Sequence, residues 1–91
     1  MKFKLGWAYY VQWHDASGST EWTPLEQLQQ TTLDIIHTVG IVISANKQRI
    51  VFGSSYGQGN GKIASSMNVP RANVIVAKAL RQIIVLKRAT R

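Results

Sequence analysis

The stretch that decides the fold is Gly40-Ile41-Val42-Ile43-Ser44-Ala45-Asn46-Lys47-Gln48-Arg49-Ile50-Val51-Phe52. It joins two runs of β-branched and aromatic residues through a short polar turn, which is the pattern of a β-hairpin. Gly40 interrupts the first run, and a glycine inside a strand often marks a bulge or a sharp bend. We therefore predict one strand from Leu33 to Ser44, a turn over residues 45–48 and a second strand from Arg49 to Ser54.

Further strands are predicted on both sides of this hairpin. Upstream, apolar and aromatic residues recur at period 2 within residues 5–15, which indicates a strand. The alternating residues are Trp7, Tyr9, Val11 and Trp13. Downstream, Ile63–Val69 and Asn73–Leu80 predict two more strands, separated at Pro70. Several short strands at this spacing indicate an all-β fold, a small five-stranded barrel, rather than an α/β fold.

The connections between the strands differ in character. Thr23, Pro24 and Glu26 have the form of an N-cap, a first-turn proline and a capping box. They predict a short helix inserted near residues 23–30, whose leucines face the core, and we place the preceding Trp22 in the core as well. The four glycines between Gly53 and Lys62 predict a flexible loop.

The chain length of 91 residues indicates a single domain, residues 1–91, ending in a basic tail over residues 81–91. The apolar patch at the start of this tail could be a last strand or an interface arm. A domain of this size buries only a modest core, so self-association is a common source of additional stability. There is no cysteine, which excludes disulfides and thiolate metal sites.

Charge is the most informative bulk property of the sequence. The chain has 11 Lys and Arg against 4 Asp and Glu, a formal net charge of +7. All four acids lie within the first 34 residues, whereas nine basic residues and no acid follow Asp34. This one-sided distribution predicts a polyanionic partner, with nucleic acid as the first choice. The alternative is a surface charge that serves solubility alone.

No constellation of residues predicts catalysis or a cofactor. His14 and His37 lie in separate strands, without an acid or a nucleophile beside them in a known motif. The segment Gly57–Gly61 is rich in glycine, but it lacks the lysine and the helix of a phosphate loop. We therefore expect no enzymatic activity, no metal and no cofactor. Apolar runs are too short to cross a membrane and no signal peptide is evident, so we expect a cytoplasmic protein.

Two polar corners are the best candidates for a binding site. They are Asn46-Lys47-Gln48-Arg49 and Pro70-Arg71-Ala72-Asn73, and a compact barrel could bring both to one end. Lysine and arginine there would neutralise phosphates, while asparagine and glutamine can hydrogen-bond base edges. The alternative is that Asn46 and Asn73 are only turn formers, since asparagine tolerates a left-handed backbone.

Both corners lie in segments that resemble motifs of the Sm-like family. The hairpin from Gly40 to Phe52 resembles the first Sm motif, in the spacing of the bacterial RNA-chaperone branch. Val69-Pro70-Arg71-Ala72-Asn73-Val74-Ile75 is similar to the second motif. Residues 7–80 as a whole also resemble small phage-encoded Sm-like proteins, through Trp13-His14-Asp15 and the later Glu21-Trp22.

The resemblance implies a strongly bent five-stranded, SH3-like barrel that assembles into a homo-oligomeric ring through its edge strands. It also implies that RNA or another single strand binds at the pore, in the host cytoplasm if the protein is phage-encoded. The residues it nominates are Asn46, Lys47, Gln48, Arg71 and Asn73, and the first corner adds Arg49. The rival interpretation is a structural or protein-interaction module of a phage, without nucleic-acid binding, whose tail Lys87–Arg91 docks an acidic protein.

Overall fold

The computed structural model describes residues 1–15, 22–29 and 34–86, apart from the side chain of Leu28. Five strands and two short helical segments make up its regular structure. In chain order these are β1 (Trp7–His14), α1 (Leu25–Gln29), β2 (Ile35–Ala45), β3 (Arg49–Gly57), β4 (Lys62–Pro70), a 3-10 turn (Arg71–Asn73) and β5 (Val74–Gln82).

All five strands form one antiparallel sheet in the order β4-β3-β2-β1-β5. Each strand pairs with its neighbour in the chain, except that β5 returns to pair with β1. The predictions of a mostly β fold and of five strands are therefore confirmed. The sheet is not closed, since β4 and β5 are its two edges and do not pair within the described part of the chain.

The sheet bends within β2, which changes its partner along its length. Residues 35–41 pair with β1, and the stretch from Ile41 to Ala45 pairs with β3. A register shift falls between Val42 and Ser44, slightly later than the glycine at which we predicted the bend. Gly40 lies against Phe52 instead, and a Cβ at Gly40 would lie 2.9 Å from the Phe52 Cβ.

The inward face of the sheet forms one core. Its buried residues are Tyr9, Val11, Trp13, Val42, Ile50, Phe52 and Val69. The segment before β1 adds Phe3 and Leu5, which pack against this cluster. The Phe3 ring lies 5.1 Å from the Tyr9 ring and 6.4 Å, edge-on, from the Phe52 ring. The N-terminal segment therefore covers part of the core, a role that its sequence did not predict.

The segments before β1 and after β5 meet at Gly6, which has a φ of +83°. Its amide donates to the Val42 carbonyl at 2.7 Å, and its carbonyl accepts hydrogen bonds from the amides of Ile83 and Ile84. A Cβ at Gly6 would lie 2.1 Å from the Ile84 carbonyl oxygen. Ile84 is buried and residues 83–86 are not a strand, whereas residues 87–91 lie outside the described part.

The prediction of a flexible loop from Gly53 to Lys62 was wrong for most of its length. Strand β3 continues to Gly57 and β4 begins at Lys62, so only residues 58–61 connect them. The glycines suggested a loop because glycine is conformationally free. Gly53, however, lies within β3 and allows the Ile63 side chain of β4 to pack closely against its backbone. A Cβ at Gly53 would lie 2.3 Å from the Ile63 Cγ2.

The inserted helix is present, but the predicted burial of Leu25 and Trp22 was wrong, whereas the side chain of Leu28, which we also predicted to face inward, lies outside the described residues. Leu25 is 70% exposed and Trp22 is fully exposed, so neither belongs to the core. A five-residue helix buries little surface, and the inward face of the sheet is packed by the strands themselves and by the segment before β1. No helix in the described ranges is long and apolar enough to span a membrane.

Candidate nucleic-acid interface

The structure brings the two polar corners together at one end of the sheet. The Arg71 amide donates to the Gln48 carbonyl at 2.8 Å, and Arg71 Nε donates to the Asn46 carbonyl oxygen at 2.7 Å. Arg49 is also the cross-strand partner of Pro70. The turn between β2 and β3 and the 3-10 turn before β5 therefore form one continuous surface, which we call the basic corner (residues 46–49 and 70–73).

Asn46 is used by the turn itself. Its Oδ1 accepts hydrogen bonds from the amides of Gln48 at 2.8 Å and Arg49 at 2.9 Å. Its own amide donates to the Arg49 carbonyl at 3.0 Å, which closes the hairpin. Asn73 is engaged as well, because its Nδ2 donates to the His14 carbonyl at 2.9 Å. Both asparagines thus stabilise the backbone around them.

Arg71 is partly buried, and its guanidinium connects the corner to the N-terminal segment. Besides the bond to Asn46, its Nη1 donates to the Met1 carbonyl oxygen. The guanidinium carbon also lies 5.2 Å from the centre of the Phe3 ring, within the range of a cation–π contact. Arg71 adds a cation to the corner, and two of its five N–H donors are engaged by backbone carbonyls of the protein.

Lys47, Gln48 and Arg49 are the freely presented side chains of the corner. All three are exposed, and within the described ranges their side chains make no hydrogen bond or ion pair. Two cations and one amide at a turn tip can neutralise phosphates and hydrogen-bond a base edge. Of the six residues predicted for the site, these three are therefore available to a ligand.

A second polar cluster lies on the outer face of the sheet and was missed by the sequence analysis. Tyr10 Oη lies 2.7 Å from His37 Nδ1, and Gln12 Nε2 donates to Tyr10 Oη at 2.7 Å. The rings of Tyr10 and His37 stack with centroids 6.0 Å apart and planes at 17°. Lys78 on β5 is the cross-strand partner of Tyr10. The period-2 pattern places these residues on the outer face, but only the register of β1 against β2 reveals that they meet.

The described residues hold no arrangement that would bind a metal ion. Nowhere in residues 1–15, 22–29 and 34–86 do three histidine or acidic side chains gather at one place. His14 Nδ1 is buried without a hydrogen-bond partner in these ranges, and His37 Nδ1 is engaged by Tyr10. The chemistry at the basic corner is therefore that of cations, amides and backbone groups.

No protein-family model, curated protein or solved structure matches this chain. The structure defines a small, basic protein with one five-stranded antiparallel sheet and two corners joined at one end. Membership of the Sm-like family stays a prediction, which rests on the two motifs quoted above.

Proposed function

We propose that this chain is a non-enzymatic protein that binds RNA or another single-stranded nucleic acid, and that it acts as a homo-oligomeric ring of Sm-like barrels. The observation that carries the proposal is the junction of the two corners through Arg71, Asn46 and Gln48. The sequence resemblance nominated these two segments independently, and the fold makes one surface of them.

Binding at this surface would be mainly electrostatic. Lys47 and Arg49 are exposed and unpaired in the described chain, and Arg71 adds a third positive charge behind them. Each phosphate neutralised by a cation releases counterions, so affinity should fall as salt rises. Gln48 offers an amide to base edges, which gives a modest preference at most.

The edges of the sheet support assembly into a ring. Strands β4 and β5 end the sheet on opposite sides, and an unpaired edge is a template for pairing with another chain. Both carry exposed apolar side chains, among them Met67 on β4 and Ile75 and Leu80 on β5. Pairing of β4 with the β5 of a second copy is head-to-tail, and such contacts form rings when the rotation closes.

In this proposal the bent sheet also takes the form of a barrel. The change of partner within β2, the extra residue of β2 opposite β3 and the two register shifts between β1 and β5 favour strong curvature. Phe3, from the segment before β1, packs against the core cluster, and Ile84, after β5, is buried as well.

The test is binding of the purified chain to labelled single-stranded RNA by fluorescence polarisation over a salt series, with mass measured by light scattering. We expect a defined oligomer whose affinity falls steeply with salt. A matched pair of variants, Lys47→Ala at the corner and Lys62→Ala at the far end of β3 and β4, separates a site from general charge.

A ring that does not bind RNA at low salt would overturn the nucleic-acid function. The same result would favour the structural module, for which there is a specific observation. Exposed apolar residues such as Val39, at 65% exposure, occur on the outer face of the sheet as well as at its edges. Surfaces of this kind suit protein contacts better than phosphate contacts.

A further inference from the structure

The insertion between β1 and β2, residues 15–34, differs in charge from everything around it. It carries all four acids of the chain and none of its 11 lysines and arginines. Its formal charge is therefore −4, whereas the remainder of the chain carries +11. The chain thus consists of an acidic insertion, which we call the arm (residues 15–34), and a basic remainder, which we call the body.

Three large or charged side chains in the described part of the arm are exposed. Trp22 is fully exposed and Leu25 is 70% exposed. Glu26 is exposed, and it forms no ion pair within the described ranges. A large aromatic, a leucine and an acid on one short exposed segment are suited to a surface that is apolar and positively charged.

The arm leaves the sheet beside the start of the free edge of β5. Trp13, near the end of β1, pairs with Val74, and the Asp15 amide donates to the Asp34 carbonyl at 2.9 Å. If β5 pairs antiparallel with β4 of a second copy, the start of β5 lies near Pro70 of that copy. Arg49 pairs with Pro70, so in that arrangement the basic corner of the second copy lies beside the end of β1, after which the arm begins.

We propose that residues 22–29 of the insertion dock on the basic body of a second copy of this chain, across the seam between two subunits. The proposal rests on the assembly put forward above and deepens it, by naming the segment that completes the interface. In this docking Trp22 and Leu25 supply apolar contact, while Glu26 lies against cations of the second copy's basic corner. Charge complementarity of this kind also selects the partner and the orientation of docking.

The first test uses the full chain with Trp22→Ser and Leu25→Ser combined, followed by sedimentation over a dilution series without nucleic acid. We expect the concentration at which the assembly dissociates to rise by about tenfold or more, as for loss of a buried aromatic anchor. Val39→Ser is the control, because it removes from the outer face of β2, and not from the arm, an apolar side chain whose 65% exposure is close to the 70% of Leu25. An unchanged midpoint for the double variant would overturn the arm proposal.

A second readout does not depend on destabilising the assembly. The difference in emission between the native chain and Trp22→Phe isolates the signal of Trp22. We expect this signal to move to shorter wavelength, and to resist acrylamide quenching, when the chain assembles. Trp22 that stays fully quenchable in the assembled protein would show that the arm does not dock on another copy.

The charge of the arm is tested by Glu26→Lys. We expect this variant to assemble less well than the native chain at low salt, and the difference to vanish near 1 M salt, where the screening length is about 3 Å. If Glu26→Lys and the native chain assemble equally well at low salt, the charge of Glu26 does not contribute to docking. A native chain that is monomeric under all conditions would instead contradict the proposed ring itself, so the two failures are distinguishable.

Discussion

Arg71 and Asn46 are joined by a 2.7 Å hydrogen bond from the guanidinium Nε to the backbone carbonyl oxygen. These residues are 25 positions apart, and the bond ties the turn between β2 and β3 to the turn before β5. The same guanidinium holds the Met1 carbonyl and lies over the Phe3 ring. One side chain therefore orders the candidate interface and the N-terminal segment together.

Replacement of Arg71 by alanine is expected to lower the free energy of unfolding by about 1–2 kcal/mol, since two charge-assisted hydrogen bonds on a partly exposed group are lost. Urea denaturation measures the change. Arg71→Lys keeps the charge but not the planar set of donors, so it should recover less than half of the loss. A fully stable alanine variant would contradict the anchoring role.

Lys47→Ala is the cleaner probe of nucleic-acid binding, because its side chain is exposed and supports no other contact in the described chain. We expect weaker RNA binding, a slope of log affinity against log salt that is shallower by about 0.7, and unchanged stability. Lys62→Ala is the control. It removes the same charge from a residue that pairs with Gly57, at the end of the β3–β4 hairpin away from the corner. If both variants weaken binding equally, the corner is not a site.

Gly6→Ala is expected to be among the most damaging small substitutions. Its φ of +83° disfavours a side chain, and the new Cβ would meet the Ile84 carbonyl oxygen. We expect a loss of at least about 2 kcal/mol in the free energy of unfolding. Gly59→Ala is the control, since nothing lies within 4 Å of a Cβ there. Thermal melts of both variants check the difference, and similar melting temperatures would refute it.

Thr38→Val tests a polar contact at the edge of the core. The Trp13 indole Nε1 donates to Thr38 Oγ1 at 3.0 Å, and Trp13 itself is 9% exposed. Valine matches the shape of threonine but leaves the indole N–H without this acceptor, at a cost of about 1–2 kcal/mol. Thr38→Ser retains the hydroxyl and should keep the indole bond. Near-ultraviolet circular dichroism together with denaturation would report both effects.

The outer-face cluster gives a prediction about RNA contact. Tyr10 and His37 present stacked rings beside Lys78, so the cluster is a possible second contact for a single strand. If nucleic acid is confined to the basic corner, His37→Ala will leave RNA affinity within about twofold of native, which is less than the loss expected for a stacked base. A larger loss, with the oligomer intact, would extend the interface onto this face.

Sequence alone determined the strands that show either period-2 alternation or a dense run of β-branched and aromatic residues, since both are local properties. The runs around Trp13 and Ile50 were assigned correctly for this reason, and the turn at Asn46 followed from its polar residues. The two corners could also be nominated, because turns and cations are visible in a short window of sequence.

Other features depended on contacts between distant residues. The glycines after Phe52 predicted a loop, but pairing of β3 with β4 extended both strands, as Gly53 packs against Ile63. Trp22 was placed in the core because it precedes a helix N-cap, yet it is fully exposed, and the segment before β1 adds Phe3 and Leu5 to the core. The register of β1 against β2 brought Tyr10 to His37, and the fold turned Arg71 from a free cation into an anchor. Pairing register and competition for the core are decided by the whole chain, so only the tertiary structure could fix them.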